Sequence, residues 1–340
     1  MTSVGDLTTP ALVVDADRLE ANLATMAERL PGDRLRPHVK AHKTTELARR
    51  QLAHGHRGFT CATIREIEGM ARAGLGDDLL LANEVVDARR LGAVADETGA
   101  RITVAVDSPE TIDAAAAGGV AEVLIDVNVG LPRCGCRPDD AGRLADLARA
   151  AGLEVRGVMG YEGHVTVIED RSDRAAAVEA AMTKLTAAHD AVGGDIISGG
   201  ATVSWDLNRW VTELQAGSYA LMDTVFAPMT PEFSPALHVL ATVISVSKRW
   251  AVCDAGLKSL GMDHGNPTLA DGRGEVLLVS DEHVVFTPGD GPPLHVGDRV
   301  RIVPAHIDPT VAYHEAMHLV RGDGTDDEVV DTWAVDLRGW

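Results

Sequence analysis

From residue 17 to about 235 the chain alternates short apolar runs with helical stretches rich in Ala, Glu and Arg, and this alternation limits the available folds more than any other feature. Residues 35–40, 58–62, 78–81, 102–106, 122–127, 154–159, 196–198 and 219–222 read as strands. Most of the stretches between them carry helical periodicity, as 63–73 and 139–151 do. Eight such units are what a (β/α)8 barrel requires, at roughly its usual length of about 250 residues. An open doubly wound sheet would more often show a Gly-rich turn after its first strand. Here that strand ends in His38-Val39-Lys40. An α/β, TIM-type barrel over residues 17–235 is therefore predicted.

After Pro235 the character changes. Residues 239–246, 250–254, 275–279, 284–287, 299–303 and 329–337 form short β-branched runs, separated by turns such as Asp271-Gly272-Arg273-Gly274 and Pro288-Gly289-Asp290-Gly291. Residues 9–14 also read as a strand and precede the first helix of the barrel. They are expected to pair with the C-terminal part, so that 1–16 and 236–340 make one mostly-β domain. No internal repeat or low-complexity segment is visible.

A length of 340 residues suits about two domains, each able to bury a core. Aromatic residues are only 4% of the chain, so that core must be aliphatic and alanine-rich. The balance of 31 Lys+Arg against 51 Asp+Glu leaves a net charge of −20, which repels nucleic acid and anionic lipid. The N-terminus lacks the basic-then-apolar pattern of a signal peptide, and no apolar run is long enough to cross a bilayer. Four Cys are too few and too scattered for a disulfide framework. Cys134-Gly135-Cys136 has neither the usual zinc spacing nor a second Cys pair to complete a site. Reduced thiols in a cytoplasmic protein are expected.

Arg36-Pro37-His38-Val39-Lys40-Ala41-His42-Lys43 sets two Lys, two His and an Arg in eight residues of an acidic chain. A solvated basic turn is one reading. The other is chemical: lysine forms Schiff bases, and a cationic neighbourhood lowers its pKa so that neutral amine is available. In a barrel the reactive residues stand at the C-terminal ends of the strands, and Lys40 falls at such an end. So do Arg133 in the loop 126–135, Tyr161-Glu162-Gly163-His164 and Ser198-Gly199-Gly200-Ala201-Thr202, while Gly217-Ser218-Tyr219 precedes the last strand. Glycine loops rich in hydroxyls present backbone N–H groups to an anion. With a strand-end lysine they suggest a phosphorylated carbonyl cofactor, pyridoxal phosphate.

Two further clusters lie in the β region. In Pro304-Ala305-His306-Ile307-Asp308 the imidazole and the carboxylate would share one face of a strand, a pair suited to Mn²⁺, Mg²⁺ or Zn²⁺. A surface His–Asp hydrogen bond is the alternative. His314-Glu315-Ala316-Met317-His318 matches the HExxH zinc-protease pattern, which works only on a helix. The pattern leads into 319–324, which reads as a strand entering a turn. On a strand the two His stand about 13 Å apart, too far to share an ion. The match is read as coincidence.

With these pieces assembled, the chain resembles the D-threonine aldolase / D-serine dehydratase family, which has the alanine-racemase-type fold (fold type III of pyridoxal phosphate enzymes). The resemblance runs nearly end to end. It rests on Thr9-Pro10-Ala11, Arg36 to Thr44, Arg133-Cys134-Gly135, Tyr161 to His164, Ser198 to Thr202, Thr212 to Tyr219 with Asp223, Asp254 to Lys258, and Pro304 to Asp308. It implies that Lys40 carries the cofactor as a Schiff base, with Lys43 the runner-up by chemistry alone. It further implies Arg133 near the phenolic oxygen, Tyr161 near the ring, Thr202, Gly217 and Ser218 on the phosphate, and His306 and Asp308 on a divalent metal. Dehydratase members tend to carry Cys where this chain has Asp308, so the carboxylate points to the aldolase side and to Mn²⁺ or Mg²⁺ over Zn²⁺.

The implied activity is that of a metal-dependent lyase on D-β-hydroxy-α-amino acids, a D-threonine aldolase cleaving its substrate to glycine and an aldehyde. A dehydratase of the D-serine or 3-hydroxyaspartate type would use the same constellation. A racemase has no need of the metal. A non-catalytic cofactor carrier is a single barrel, which the β domain argues against. The resemblance also implies a homodimer with active sites at the subunit interface and a small D-amino acid as the ligand.

Overall fold

The structure, a computed structural model, describes residues 2–322 and 324–340. Met1, at the start of the expected β domain, and Asp323, in the turn expected after residue 320, lie outside them. The chain divides into two units. One comprises Met1–Thr25, Ala41–Thr44 and Ser218–Asp336, the other Met26–Lys40, Thr45–Gly217 and Leu337–Trp340.

The chain opens with β1 (Ala11–Asp15) and α1 (Ala16–Arg29). It continues with α2 (Thr45–Ala53), β2 (Gly58–Cys61), α3 (Ile64–Arg72), β3 (Asp78–Leu81), α4 (Arg89–Thr98), β4 (Ile102–Val106), α5 (Pro109–Ala117) and β5 (Glu122–Asp126). Next come α6 (Ala141–Ala150), β6 (Glu154–Gly160), α7 (Arg171–Val192), β7 (Ile196–Gly199) and β8 (Glu213–Leu214). Strands β2 to β8 pair in parallel in chain order. Residues 35–38 then bridge the two edges: Leu35 pairs with Leu214 and His38 with Thr60, both in parallel. The Arg36 N–H donates to the Leu214 carbonyl (2.9 Å) and the Thr60 N–H to the Pro37 carbonyl (2.9 Å), which closes the barrel.

Local signals explain the helix starts. Thr63 caps α3 by accepting from the Glu66 N–H (3.2 Å), and the Glu66 carboxylate accepts from the Thr63 N–H (3.3 Å), a capping box. Pro109 stands at the first turn of α5 behind the Ser108 cap, where its missing N–H costs nothing. The strands are aliphatic and buried, and Leu80, Ala105, Leu124 and Met159 pack into one cluster.

Two strands depart from expectation. The eighth is Glu213–Leu214, not 219–222; Ser218–Ala220 is a 3-10 helix and Met222 has φ of +54°. Tyr219 to Met222 are fully buried, and a short buried apolar run does not reveal its backbone by periodicity. The first, expected over 35–40, pairs only through 35–38, because Val39–Ala41 winds into a 3-10 turn. Lys40 thus lies one step beyond the ladder.

In the other unit follow β9 (Leu237–Val246), β10 (Ala251–Cys253), β11 (Thr268–Leu269), β12 (Val276–Val279), β13 (Val284–Phe286) and β14 (Arg299–Val303). It ends with α8 (Ile307–Tyr313), β15 (Ala316–Val320) and β16 (Val329–Ala334). They form a nine-stranded mixed sheet that includes β1, antiparallel to β9 and parallel to β15. The N-terminal strand therefore joins the C-terminal sheet, as its sequence suggested. All five of its residues are buried. Thr9 Oγ1 donates to Asp254 Oδ2 (2.6 Å), and the Thr242 N–H donates to Asp254 Oδ1 (2.7 Å), tying the chain start to β9. The HExxH residues do not share a helix. His314 follows α8 and donates to the Ser259 carbonyl (3.0 Å), while His318 lies on β15 against Thr332 Oγ1 (3.0 Å).

Charges gather at the N-terminal ends of the barrel strands. The Arg36 guanidinium, with a side chain 4% exposed, meets Asp78 (2.7 Å) and Glu213 (2.8 Å), and Arg156 meets Asp78 (2.7 Å) and Glu122 (3.4 Å). Burial pushes the Asp78 carboxyl up, but its bonds and charge pairing with Arg156 and Arg36 outweigh that and hold it at about 2. Removing one partner of such a group strands the other, so Asp78→Ala is expected to cost roughly 3 kcal/mol. That cost is read as a lower denaturant midpoint at unchanged m-value. Asp78 titrates below its ordinary 3.8, so its contribution is complete above about pH 4 and drains away as the pH falls towards 2. The gap between wild type and variant should shrink over that window; a constant gap would exclude the ion-pair account.

Candidate active site

Each barrel residue singled out from the sequence follows the C-terminal end of a strand. Lys40 sits in the turn after residues 35–38, Arg133 in the loop after β5, Tyr161 directly after β6, and Thr202 after β7. Gly217 and Ser218, expected ahead of the last strand, come shortly after it instead, because β8 is Glu213–Leu214. Tyr161 gathers two of them. Lys40 Nζ is 6.0 Å from its ring centroid, and the Arg133 guanidinium carbon is 5.1 Å from it. Thr202 opens the 3-10 helix Thr202–Ser204, and Ser218 opens Ser218–Ala220. First-turn N–H groups have no intrahelical acceptor and suit an anion.

The Arg133 loop is folded by Asn128, whose Nδ2 donates to the carbonyls of Leu131 (2.7 Å) and Cys134 (3.3 Å). The Gly135 N–H donates to Asp107 Oδ2 (3.1 Å), at a φ of +101° that glycine adopts without strain. Beneath it, burial and then the neighbouring Glu84 carboxyl push the Asp126 carboxyl well above its usual range.

The sequence reading missed Glu162. Its side chain is fully buried and accepts from the Gly200 N–H (3.0 Å), the Ser204 hydroxyl (2.9 Å) and Asn208 Nδ2 (3.0 Å). One carboxylate thus shapes the whole loop that carries Thr202. No local pattern around Tyr161-Glu162-Gly163 announces this, because its partners lie 38 to 46 residues further along the chain. His164 was also left unassigned. Its Nδ1 is buried without a hydrogen-bond partner among the described residues, and a Cβ on Gly130 would lie 2.7 Å from its ring.

In the other unit His306 and Asp308 are together, with Nε2 3.3 Å from Asp308 Oδ2. They do not lie on a strand. His306 is the extended N-cap of α8 and Asp308 stands in its first turn, so the cap side chain folds over the turn and meets the carboxylate. The sequence reading did not foresee Asp263, whose two oxygens lie 2.9 and 2.8 Å from His306 Nδ1. It also missed His264, whose ring stacks on that of His306 at 3.9 Å and 6°. Asp223 lies buried beside them and accepts from the N–H groups of Phe226 (3.0 Å) and Ile307 (3.4 Å). Burial pushes its carboxyl up to about 6.

The donors fit the groups that the sequence suggested. An amine, a guanidinium, an aromatic ring and two hydroxyl-bearing turns suit a phosphorylated carbonyl cofactor. Imidazole and carboxylate atoms of Asp263, His264 and His306 lie within 4.8 Å of one another with Asp308 alongside, and nitrogen and oxygen donors of this kind, drawn from among these four residues, suit a divalent cation.

Residues 14–223 match the family described as alanine racemase, N-terminal domain, and residues 236–320 match a serine dehydratase domain family. A D-threonine aldolase from an Arthrobacter species is 37% identical over 364 residues, covering 98% of this chain and 93% of that one. The crystal structure of D-threonine aldolase from Filomicrobium marinum superposes with a TM-score of 0.91 at 35% identity, covering 98% and 96% of the two chains. D-threo-3-hydroxyaspartate dehydratase from Delftia sp. HT23 follows at a TM-score of 0.86 and 28% identity, covering both chains fully. The chain belongs to the alanine-racemase-type (fold type III) family of pyridoxal phosphate enzymes, within its lyase branch of D-threonine aldolases and D-hydroxyaspartate dehydratases.

Proposed function

We propose that this protein is a pyridoxal phosphate- and divalent metal-dependent D-threonine aldolase, cleaving D-β-hydroxy-α-amino acids to glycine and an aldehyde. The observation that carries the reading is the His306–Asp308 pair, an imidazole and a carboxylate 3.3 Å apart, in a chain alike end to end to an aldolase. Pyridoxal phosphate supplies an electron sink for the carbanion left at Cα when Cα–Cβ breaks. His306 and Asp308 would hold a divalent cation, Mn²⁺ or Mg²⁺ by the hardness of the carboxylate donor, and it would supply the charge that lowers the pKa of the substrate β-hydroxyl.

The chain's own residues do the rest. Lys40 holds the cofactor through its amine, and Tyr161 packs against the ring. Arg133 offsets negative charge at the phenolic oxygen. Thr202, Gly217 and Ser218 receive the phosphate on N–H and hydroxyl donors, and Glu162 keeps the Thr202 loop in shape. His306 and Asp308 hold the metal. His164 Nδ1, buried and without a partner among the described residues, is the atom suited to take the hydroxyl proton. Family membership supports a homodimer whose subunits meet at the active sites. A cytoplasmic setting fits four free cysteines and the absence, among the described residues, of any helix long and apolar enough to cross a membrane.

A dehydratase acting on the same substrates is the second reading, favoured by the likeness to the Delftia enzyme. The products separate the two. D-threonine incubated with the Mn²⁺-loaded enzyme is expected to give glycine and acetaldehyde. A 2-oxo acid in their place would establish the dehydratase, and turnover unaffected by a chelator would end the metal role. Lys40→Ala should abolish the visible absorbance of lysine-bound cofactor and lower kcat by about 10³-fold or more. Glu162→Gln leaves one of three buried donors facing an amide N–H. It is expected to weaken cofactor binding about tenfold, measured by titrating the stripped enzyme with pyridoxal phosphate. Unchanged affinity would show that the loop holds its shape without the carboxylate.

A further inference from the structure

His306 is flanked by a carboxylate at each ring nitrogen, and one ion cannot lie in the plane of the ring on both sides. Asp308 faces Nε2 at 3.3 Å and Asp263 faces Nδ1 at 2.8 and 2.9 Å. The two sides differ in surroundings. Asp308 has a side chain 17% exposed and lies beside the fully buried Asp223, whereas the Asp263 side chain is 57% exposed. The Nε2 side is therefore the one where carboxylates converge away from water. A carboxylate on Nδ1 takes the N–H and leaves the lone pair on Nε2.

His264 is excluded as a ligand by its geometry. Imidazole lone pairs lie in the ring plane, and its ring runs parallel to that of His306 at 3.9 Å. An ion in the plane of one ring lies out of the plane of the other. His264 also makes an edge-type ring contact with Phe226 at 6.0 Å and 65°, which helps to hold its ring against that of His306.

The turn that brings Asp263 is anchored on the His306 backbone itself. Gly261 forms a β-bridge with His306, its N–H donates to Thr310 Oγ1 (2.8 Å), and the Thr310 hydroxyl donates to the His306 carbonyl (2.7 Å). A Cβ at 261 would lie 2.4 Å from Pro309 Cγ and 2.8 Å from the His306 carbonyl oxygen, so only glycine lets the two segments approach this closely. The carboxylate two residues on thus inherits a fixed position relative to the imidazole.

From this we infer that Asp263 is a positioning residue of the metal centre and not a ligand. It holds the Nδ1–H of His306 so that Nε2 faces the ion shared with Asp308, while His264 walls the ring. The inference rests on the metal-dependent reading above.

The test is Mn²⁺ affinity. Holoenzyme is stripped with a chelator and titrated with Mn²⁺, with free ion followed by electron paramagnetic resonance, for wild type, Asp263→Ala, Asp263→Asn and Asp308→Ala. Asp263→Ala should bind Mn²⁺ about 10–100-fold more weakly, with Tm and cofactor absorbance unchanged. Asp263→Asn, whose amide oxygen still accepts from Nδ1, should recover part of the loss, and Asp308→Ala should lose nearly all binding. Wild-type affinity in Asp263→Ala overturns the inference. So does a loss as deep as that of Asp308→Ala without recovery in Asp263→Asn, because Asp263 would then be a ligand. A wild-type enzyme that binds no Mn²⁺ brings down the metal-dependent reading together with the inference. Normal Mn²⁺ behaviour in the series without lyase turnover upholds the role of Asp263 and rejects the reaction.

Discussion

Closure of the parallel ring through residues 35–38 is the constraint on which the barrel depends. A seven-strand parallel sheet would leave unpaired N–H and C=O groups along β2 and β8, at a cost that grows with every unmet group. Four residues, 35 to 38, meet both edges. Arg36 adds a second tie: it spans Asp78 at the start of β3 and Glu213 at the start of β8. Once the ladder ends at His38, the next backbone turn carries Lys40 beyond it, at the strand end where barrel chemistry is concentrated. The same short segment therefore shuts the sheet and presents the amine.

The β unit depends on a different economy. β1 is inserted between β9 and β15 and is buried along its whole length, so the chain start belongs to a sheet whose other strands come more than two hundred residues later. Such non-local pairing carries a loop-closure cost that must be recovered in burial and hydrogen bonds. Thr9, Thr242 and Asp254 contribute a compact part of that return through bonds of 2.6 to 2.7 Å. α8 connects β14 to β15 of this sheet, and Gly261 bridges to His306 at its start.

Much of this was legible. Six of the eight barrel strands and the N-terminal strand read correctly because apolar, β-branched runs bounded by turn residues carry their own signal. The eighth strand did not, since Glu213–Leu214 is two residues long and has no period to detect, while the apolar run at 219–222 belongs to buried turns. His306 and Asp308 were paired by the right spacing on the wrong backbone: two residues apart, they meet on a strand face and also across a helix cap. Glu162 and Asp263 were beyond reach for a common reason. Their partners lie 38 to 46 residues away in one case and 43 in the other, and hydrogen bonds of that span leave no local pattern.

The surroundings of His306 also bear on which cation the proposed reaction uses. Three carboxylates, Asp223, Asp263 and Asp308, lie around one imidazole, and burial, with a smaller push from the Asp308 charge, drives Asp223 up to about 6 against its hydrogen bonds and the His306 charge. Crowded like charges of this kind are relieved either by taking up protons or by taking up a cation. A proton on the cluster would neutralise a carboxylate that the reaction needs as a donor, whereas a divalent ion relieves the repulsion and leaves the oxygens ionised. Oxygen donors hold such an ion less tightly than thiolate would and favour a harder metal. On the proposed metal-dependent reading, the exposed Asp263 carboxylate has a purpose: with few soft, strong ligands available, the affinity of the site would rest on how firmly its one imidazole is aimed.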